Sequence, residues 1–192
     1  EALRKGMSFG ADQAILISDR AFAGADTLAT SYALSQVILK LKQTDGLDLV
    51  ICGKQAIDGD TAQVGPGIAT RLNLTQLTYV SKIQSIDAKS RKIIVERKHE
   101  DGIEIVEGSL PALLTVVKEI NMPRYATLPN LIKAIQYEPL VWSKNDFEAE
   151  LSKLGLEGSP TWVEKIFTPA LRATGSIFYS DKEGFENEIK NR

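Results

Sequence analysis

The stretch that most constrains the fold runs from Asp48 to Leu72, DLVICGKQAIDGDTAQVGPGIATRL. Leu49-Val50-Ile51-Cys52 is a short apolar run with two β-branched residues, which suits a buried strand and is too short for a helix. Gly53 breaks the run, small and polar residues follow, and from Val64 the spacing turns helical through Ile68, Ala69 and Leu72. A strand, a glycine-bearing loop and a helix in that order set the loop at the carboxyl edge of a parallel sheet, where open α/β sheets bind ligands. Free N–H groups at the helix start, with the positive end of its dipole, suit a phosphate. The pattern is not a P-loop, because Gly53-Lys54 lacks the preceding glycine at the right spacing and the Ser/Thr after the lysine.

Within the loop, Gly53 and Gly59 are expected to take positive φ and let a ligand approach the backbone. Asp60 with Gln63 fits the Asp-x-x-Gln form of a capping box. The alternative start is Gly65, with Pro66 in the favoured first helical position. One of Asp58 and Asp60 is then expected to cap the helix and the other to take a ribose hydroxyl, with Lys54 as the nearby cation. Local chemistry alone leaves open a polar connector that binds nothing. Cys52 reads as a buried structural thiol. Ser18-Asp19-Arg20 and Asp26-Thr27 read as caps, and Arg71 and His99 as solvated surface residues.

On either side, Glu1–Phe9 reads as a helix end with Gly10 beyond it, and Ala14–Ser18 as a buried strand. Asp26 is expected to cap a helix over Thr27–Gln43 whose inner face carries Leu28, Tyr32, Val37, Ile38 and Leu41. Asp45-Gly46 then turns the chain into the central strand at Leu49. Strand, helix and strand at this spacing predict a right-handed crossover in a parallel sheet. After Leu72 the period falls to two: Leu77–Val80, Lys92–Lys98 and Ile103–Glu107 read as antiparallel strands, with turns at Asp87–Ser90 and Asp101-Gly102. Leu113–Val117, entered through Pro111, reads as another buried strand. The expected class is α/β with a mixed sheet. Past Pro139 regular periodicity fades, and 139–192 is expected to be an arm, with a short helix over Ser180–Lys190. Trp142, Trp162, Phe167 and Phe178 would bury against another subunit, or the arm would wrap back on its own domain.

Composition excludes several classes. A formal net charge of −2 gives no electrostatic case for nucleic acid or an anionic membrane. No apolar run approaches the roughly 20 residues of a membrane span, so membrane insertion is not expected. One cysteine and one histidine leave almost no material for a metal site or a His-based triad. No catalytic residue is assigned, and a reduced, cytoplasmic compartment is the plain expectation.

Two motifs carry a resemblance to a known family. GKQAIDGDTAQVGP, Gly53–Pro66, resembles the signature loop of the electron-transfer flavoprotein beta (small) subunit, and PRYATLPNLIKA, Pro123–Ala134, resembles that subunit's partner-docking loop. The resemblance implies an adenine-nucleotide-binding, Rossmann-like domain over 1–138, with the docking loop at 118–137 and the arm 139–192 packing on the partner subunit. It also implies that family members carry a further N-terminal segment, absent from this chain, that completes the pocket. Carried over position by position, the nucleotide contacts fall on Gly53, Lys54, Gln55, Ala56, Ile57, Asp58, Gly59, Asp60, Thr61, Ala62, Gln63 and Val64. Partner docking falls on Arg124, Tyr125, Ala126, Thr127, Leu128, Pro129 and Asn130, with Leu128 as the anchor on a proline-stiffened loop. Family members often follow this motif with several lysines, whereas Lys133 is followed here by Ala134-Ile135-Gln136-Tyr137, which leaves partner choice open.

The implied function is an electron carrier paired with an electron-transfer flavoprotein alpha subunit. Asp58-Gly59-Asp60-Thr61-Ala62-Gln63 resembles the FAD-holding, electron-bifurcating members more than the AMP-holding ones. In those members NADH supplies electrons, and ferredoxin or flavodoxin and an acyl-CoA dehydrogenase-type flavoprotein accept them. An AMP-holding, non-bifurcating subunit is the alternative. A nucleotide-sensing module and an ATP-using α/β enzyme are remoter ones.

Overall fold

The computed structural model describes residues 1–168, so the expectations for Phe178 and for a helix over Ser180–Lys190 fall outside the described residues. One compact unit covers Glu1–Trp162, and the fold of that unit is mixed α/β. It begins with helix α1, Ala2–Ser8, strand β1, Ile15–Ile17, and helix α2, Thr27–Asp45. Strand β2, Leu49–Gly53, and helix α3, Val64–Leu72, flank the loop singled out above. Strands β3, Thr75–Asp87, β4, Lys92–His99, and β5, Gly102–Ser109, form a meander, and β6 follows at Ala112–Val116. Helix α4, Leu128–Gln136, and strand β7, Leu140–Trp142, come after a single 3-10 turn at Lys118–Ile120.

Among the described residues the main sheet has five strands in the order β2-β6-β3-β4-β5, parallel between β2, β6 and β3 and antiparallel from β3 to β5. Strand β6 is buried along almost its whole length, which its near-continuous apolar run requires of a strand covered on both faces. Leu113 joins Ile68, Ala69 and Leu74 under α3, whereas Ala112 and Leu114 join Leu77, Val80, Ile93 and Val95 in a second cluster. Among the described residues strand β2 is not central as expected: it lies at an edge of this sheet, and Ile51 is 57% exposed. Nor does β1 share a sheet with β2. It pairs in parallel with β7, Ile15 against Leu140 and Ile17 against Trp142, so α2 links two sheets rather than crossing over one.

The Asp26 cap forms as expected, its carboxylate accepting from the N–H groups of Leu28 at 2.9 Å and Ala29 at 3.0 Å. The buried face of α2 is built differently from the expected one. Leu28 is 49% exposed, while Ala29, Ser31, Ala33 and Ser35 turn inward beside Tyr32 and Val37. Small residues there allow close packing of α3. A side chain on Gly67 would meet Ser31 Cβ at 2.8 Å, and one on Gly65 would meet Thr115 Cγ2 at 2.5 Å.

From Pro139 to Trp162 the chain packs back on its own unit. Phe147 and Leu154 are buried, Phe22 and Phe147 stack at 6.1 Å, and the Lys40 ammonium lies 4.1 Å from the Trp142 ring centre. Trp162 and Phe167 are exposed.

Candidate functional site

The loop between β2 and α3 lies where the parallel strands end. Gly53 pairs with Val116, and the Lys54 N–H donates to the Val116 carbonyl at 3.0 Å, fastening the start of the loop to the end of β6. The loop itself is open to solvent, with Ile57 fully exposed.

Its internal bonds differ from the expected capping box. Gln63 holds the N-cap position of α3, and no side chain caps it. The Asp60 carboxylate accepts from Gln55 Nε2 instead, and Gln63 Oε1 accepts from the Thr27 hydroxyl at 2.9 Å. A local turn is closed by the Asp60 N–H donating to the Ala56 carbonyl at 3.0 Å, and Asp58 accepts only from the adjacent Gly59 N–H at 3.0 Å, so neither aspartate serves α3. The glycine expectation is corrected too. Gly53 and Gly59 do not take positive φ; the left-handed residues are Asp60 at 51° and Ala62 at 54°. Nothing lies within 4 Å of a side chain built on Gly53 or Gly59, so they contribute room rather than a special backbone conformation.

Ala62 at φ 54° is followed by Gln63 at φ −95°, ψ −23°. Alternation of left- and right-handed residues turns successive N–H groups into one anion-binding concavity, a nest. Among the described residues no group accepts a hydrogen bond from the N–H of Thr61, Ala62, Gln63, Val64 or Gly65. The first free bond of the helix is Gly67 N–H to Gln63 O at 2.9 Å. Five consecutive unpaired donors at a helix N-terminus favour a bound anion.

Neighbouring groups frame this concavity. Thr27, one residue past the Asp26 cap, ties the start of α2 to the start of α3 through Gln63. Asp26 also accepts from the N–H and hydroxyl of Thr161, at 3.3 and 2.9 Å. Partial burial pushes its carboxyl up, but the donors from Ala29, Thr161 and Leu28 outweigh this and hold it below its ordinary value. Burial pushes the Cys52 thiol up, which suits an inert structural role. Arg71 is more than a solvated side chain, since it donates to Ser31 Oγ and to the Leu28 carbonyl, both at 3.3 Å, bridging α3 to α2. His99 is more than half exposed and faces Asp101 at 3.8 Å. The structure adds Tyr79 and Thr115 beside the loop. The Tyr79 N–H donates to Thr115 Oγ1 at 3.2 Å, and Lys54 Nζ lies 5.2 Å from the Tyr79 ring centre.

The second motif is not one continuous loop. Residues 121–127 belong to no helix or strand, and Thr127 then caps α4, accepting from the Asn130 N–H at 3.4 Å. Leu128 is the first helical residue and Pro129 the second, where the missing N–H costs nothing. Leu128 is 70% exposed, and Leu131, Ile132 and Ile135, at helical spacing from it, are exposed as well. Ala134 faces inward with Met7 and Ala14. Tyr125 is almost wholly exposed, whereas Arg124 is drawn back to donate to the Phe9 carbonyl at 2.6 Å. The two motifs are separate surfaces: one offers N–H groups, the other apolar area.

Among the described residues no helix is long and apolar enough to cross a membrane, and no group of three or more His, Cys, Asp or Glu is placed to hold a metal ion.

This geometry agrees with what the chain is similar to. Residues 1–141 match the model of the electron transfer flavoprotein domain. Protein FixA of Azorhizobium caulinodans is 49% identical over 175 residues, which cover 90% of this chain and 62% of that protein. Protein FixA of Azotobacter vinelandii is 52% identical over 173 residues, with the same coverage of 90% and 62%. The electron transfer flavoprotein subunit beta of Thermoanaerobacterium thermosaccharolyticum is 47% identical over 191 residues, 98% of this chain and 71% of that protein. The chain belongs to the electron transfer flavoprotein family, on its beta-subunit side. It spans about 62% of the length of the two FixA relatives.

Proposed function

We propose that this chain is the nucleotide-holding part of an electron carrier that pairs with an electron-transfer flavoprotein alpha subunit. The observation that carries the reading is the row of five unpaired N–H groups from Thr61 to Gly65, at the carboxyl edge of the sheet, in a chain of this family. These donors fit a phosphate, and the open space at Gly53 and Gly59 fits the body of a nucleotide beside it. In this reading the nest binds and orients the phosphate, and Thr27 holds Gln63 so that the donors keep one direction. Asp58 and Asp60 each accept one hydrogen bond within the loop, from Gly59 and from Gln55.

The nucleotide is FAD, making the carrier an electron-bifurcating one that draws on NADH. A flavin held by Gly53–Val64 would supply hydride-accepting and one-electron chemistry. The small side chains of Gly59 and Ala62 support that choice, because a second phosphate and a three-ring system need more room than a monophosphate. Ferredoxin or flavodoxin takes the low-potential electron, and an acyl-CoA dehydrogenase-type flavoprotein takes the other. The exposed row Leu128, Leu131, Ile132 and Ile135 docks that flavoprotein.

Extraction of the purified alpha–beta complex tests the cofactor. Two FAD per heterodimer support bifurcation, whereas one FAD with one AMP makes the nucleotide here structural. Gly59→Val tests the loop. Gly59 has open space and no positive φ, so valine leaves the fold intact while crowding the ligand. Bound nucleotide should fall severalfold at unchanged thermal stability; unchanged stoichiometry would remove the loop from the site.

A further inference from the structure

Tyr79 sits at φ 57°, a left-handed conformation that a bulky side chain rarely adopts. Its surroundings impose it. The Tyr79 N–H is held by Thr115 Oγ1, and Thr115 is 2% exposed. The Val117 N–H donates to the Val80 carbonyl at 3.0 Å, and the pairing of β3 with β6 jumps from Leu77 to Val80. Strain that neighbours over-determine in this way gathers at ligand sites.

Its effect here is to deliver an aromatic ring to the rim where β2 and β6 end. Tyr79 is 37% exposed and lines a cleft of about 430 Å³ together with Arg97, Lys98, His99 and Glu100. The Lys54 ammonium lies over the ring. Among the described residues Lys54 forms no ion pair, although Asp58 and Asp60 share its loop. A cation on an exposed ring is weakly held. A flat heteroaromatic ring makes a broader contact with the same face. The lysine stem is flexible and ends in a compact charge suited to a phosphate.

We propose that Tyr79 is a stacking platform for the planar ring of the nucleotide held at the loop, and that Lys54 leaves the Tyr79 ring for that nucleotide's phosphate. This rests on the nucleotide reading above and names the side chains that act on the ring and on the charge.

The test uses the intact alpha–beta complex, stripped of its beta-side nucleotide and titrated with AMP and with FAD. Tyr79→Gly suits the backbone, because φ 57° is open to glycine, so the complex should keep its thermal stability while affinity falls about tenfold or more. Tyr79→Phe keeps the flat face and should stay within about twofold of the parent. Lys54→Met should weaken both nucleotides, and raising the ionic strength should weaken the parent more than this variant. An isoalloxazine on the ring would show as a rise in flavin fluorescence in Tyr79→Phe, and an adenine would show as equal losses for AMP and FAD in Tyr79→Gly. Unchanged affinity for both nucleotides in Tyr79→Gly overturns the proposal and leaves the loop reading standing. A parent complex that binds neither AMP nor FAD beyond its alpha-subunit flavin overturns both.

Discussion

The loop from Lys54 to Gln63 and the helix α4 are both left open to solvent, yet they offer opposite chemistry. The loop presents unpaired N–H donors on a backbone held by Val116, Thr27 and its own side chains. Helix α4 has its start capped by the Thr127 hydroxyl and presents a row of leucine and isoleucine side chains. Fixed dipoles discriminate a small charged ligand and contribute little to a flat protein contact. Apolar area does the reverse, because its worth scales with surface removed from water. The two surfaces are therefore separable by mutation.

The largest expected effect comes from Gly65. A side chain there meets Thr115 Cγ2 at 2.5 Å, and Thr115 is buried beneath both α3 and Tyr79. Gly65→Ala should cost about 2–3 kcal/mol and shift the N–H row, so thermal stability and bound nucleotide fall together while α4 keeps its partner. Thr115→Ser in the same chain removes the opposing methyl and keeps the hydroxyl. Recovery of both readouts in the double variant is expected. Loss of partner binding in Gly65→Ala would mean that the surfaces are not independent.

Leu128 probes the other side. Burying a leucine contributes about 1.5–3 kcal/mol, so Leu128→Ala should weaken the docked flavoprotein about tenfold or more at unchanged nucleotide content. Adding Ile132→Ser should deepen the loss, since both lie on one face of α4. Equal losses in partner and nucleotide affinity would indicate misfolding instead.

The smallest effect links the two through stability alone. Asp26→Ala removes the cap of α2 and should cost about 1 kcal/mol near neutral pH. The Asp26 carboxyl is held below its ordinary value, so its contribution is full above the unfolded value and is lost as pH falls through the lowered folded one. The gap in melting temperature between parent and variant should narrow below about pH 4. A gap that widens on acidification would contradict this assignment.

What could be read from the sequence was mostly local. Asp26 caps α2 because the acceptor and the donors lie within three residues of each other. The meander β3-β4-β5 follows from period two and short turns. The Asp60–Gln63 box failed because more distant partners won: Gln55 took the aspartate, and Thr27, on another helix, took the glutamine. The tight packing at Gly65, which reads from the sequence as a possible helix start, and at Gly67 left no signal, because the atoms they must clear, on Thr115 and Ser31, are remote in sequence. The position of β2 at a sheet edge and the pairing of β1 with β7 are long-range choices, invisible to periodicity. Helix α4 is legible in local signals. Leu128, Leu131, Ile132 and Ile135 have helical spacing, Thr127 is a cap, and a proline at the second position begins helices. Tyr79 left no trace, since nothing in the sequence announces a left-handed tyrosine.

The pairing of β1 with β7 also bears on how the chain is born. Ile15 finds its neighbour in Leu140, about 125 residues later. At roughly 5–20 residues per second of synthesis, β1 waits about 6–25 seconds for β7. Contacts of such separation slow folding as well. During that interval the edge of Ile15–Ile17 that β7 takes lacks that partner, and a nascent chain on a neighbouring ribosome carries the same Leu140–Trp142 to offer. Crowded polysomes would then favour exchange of β7 between sister chains, and a slower rate of initiation would favour the closed monomeric pairing.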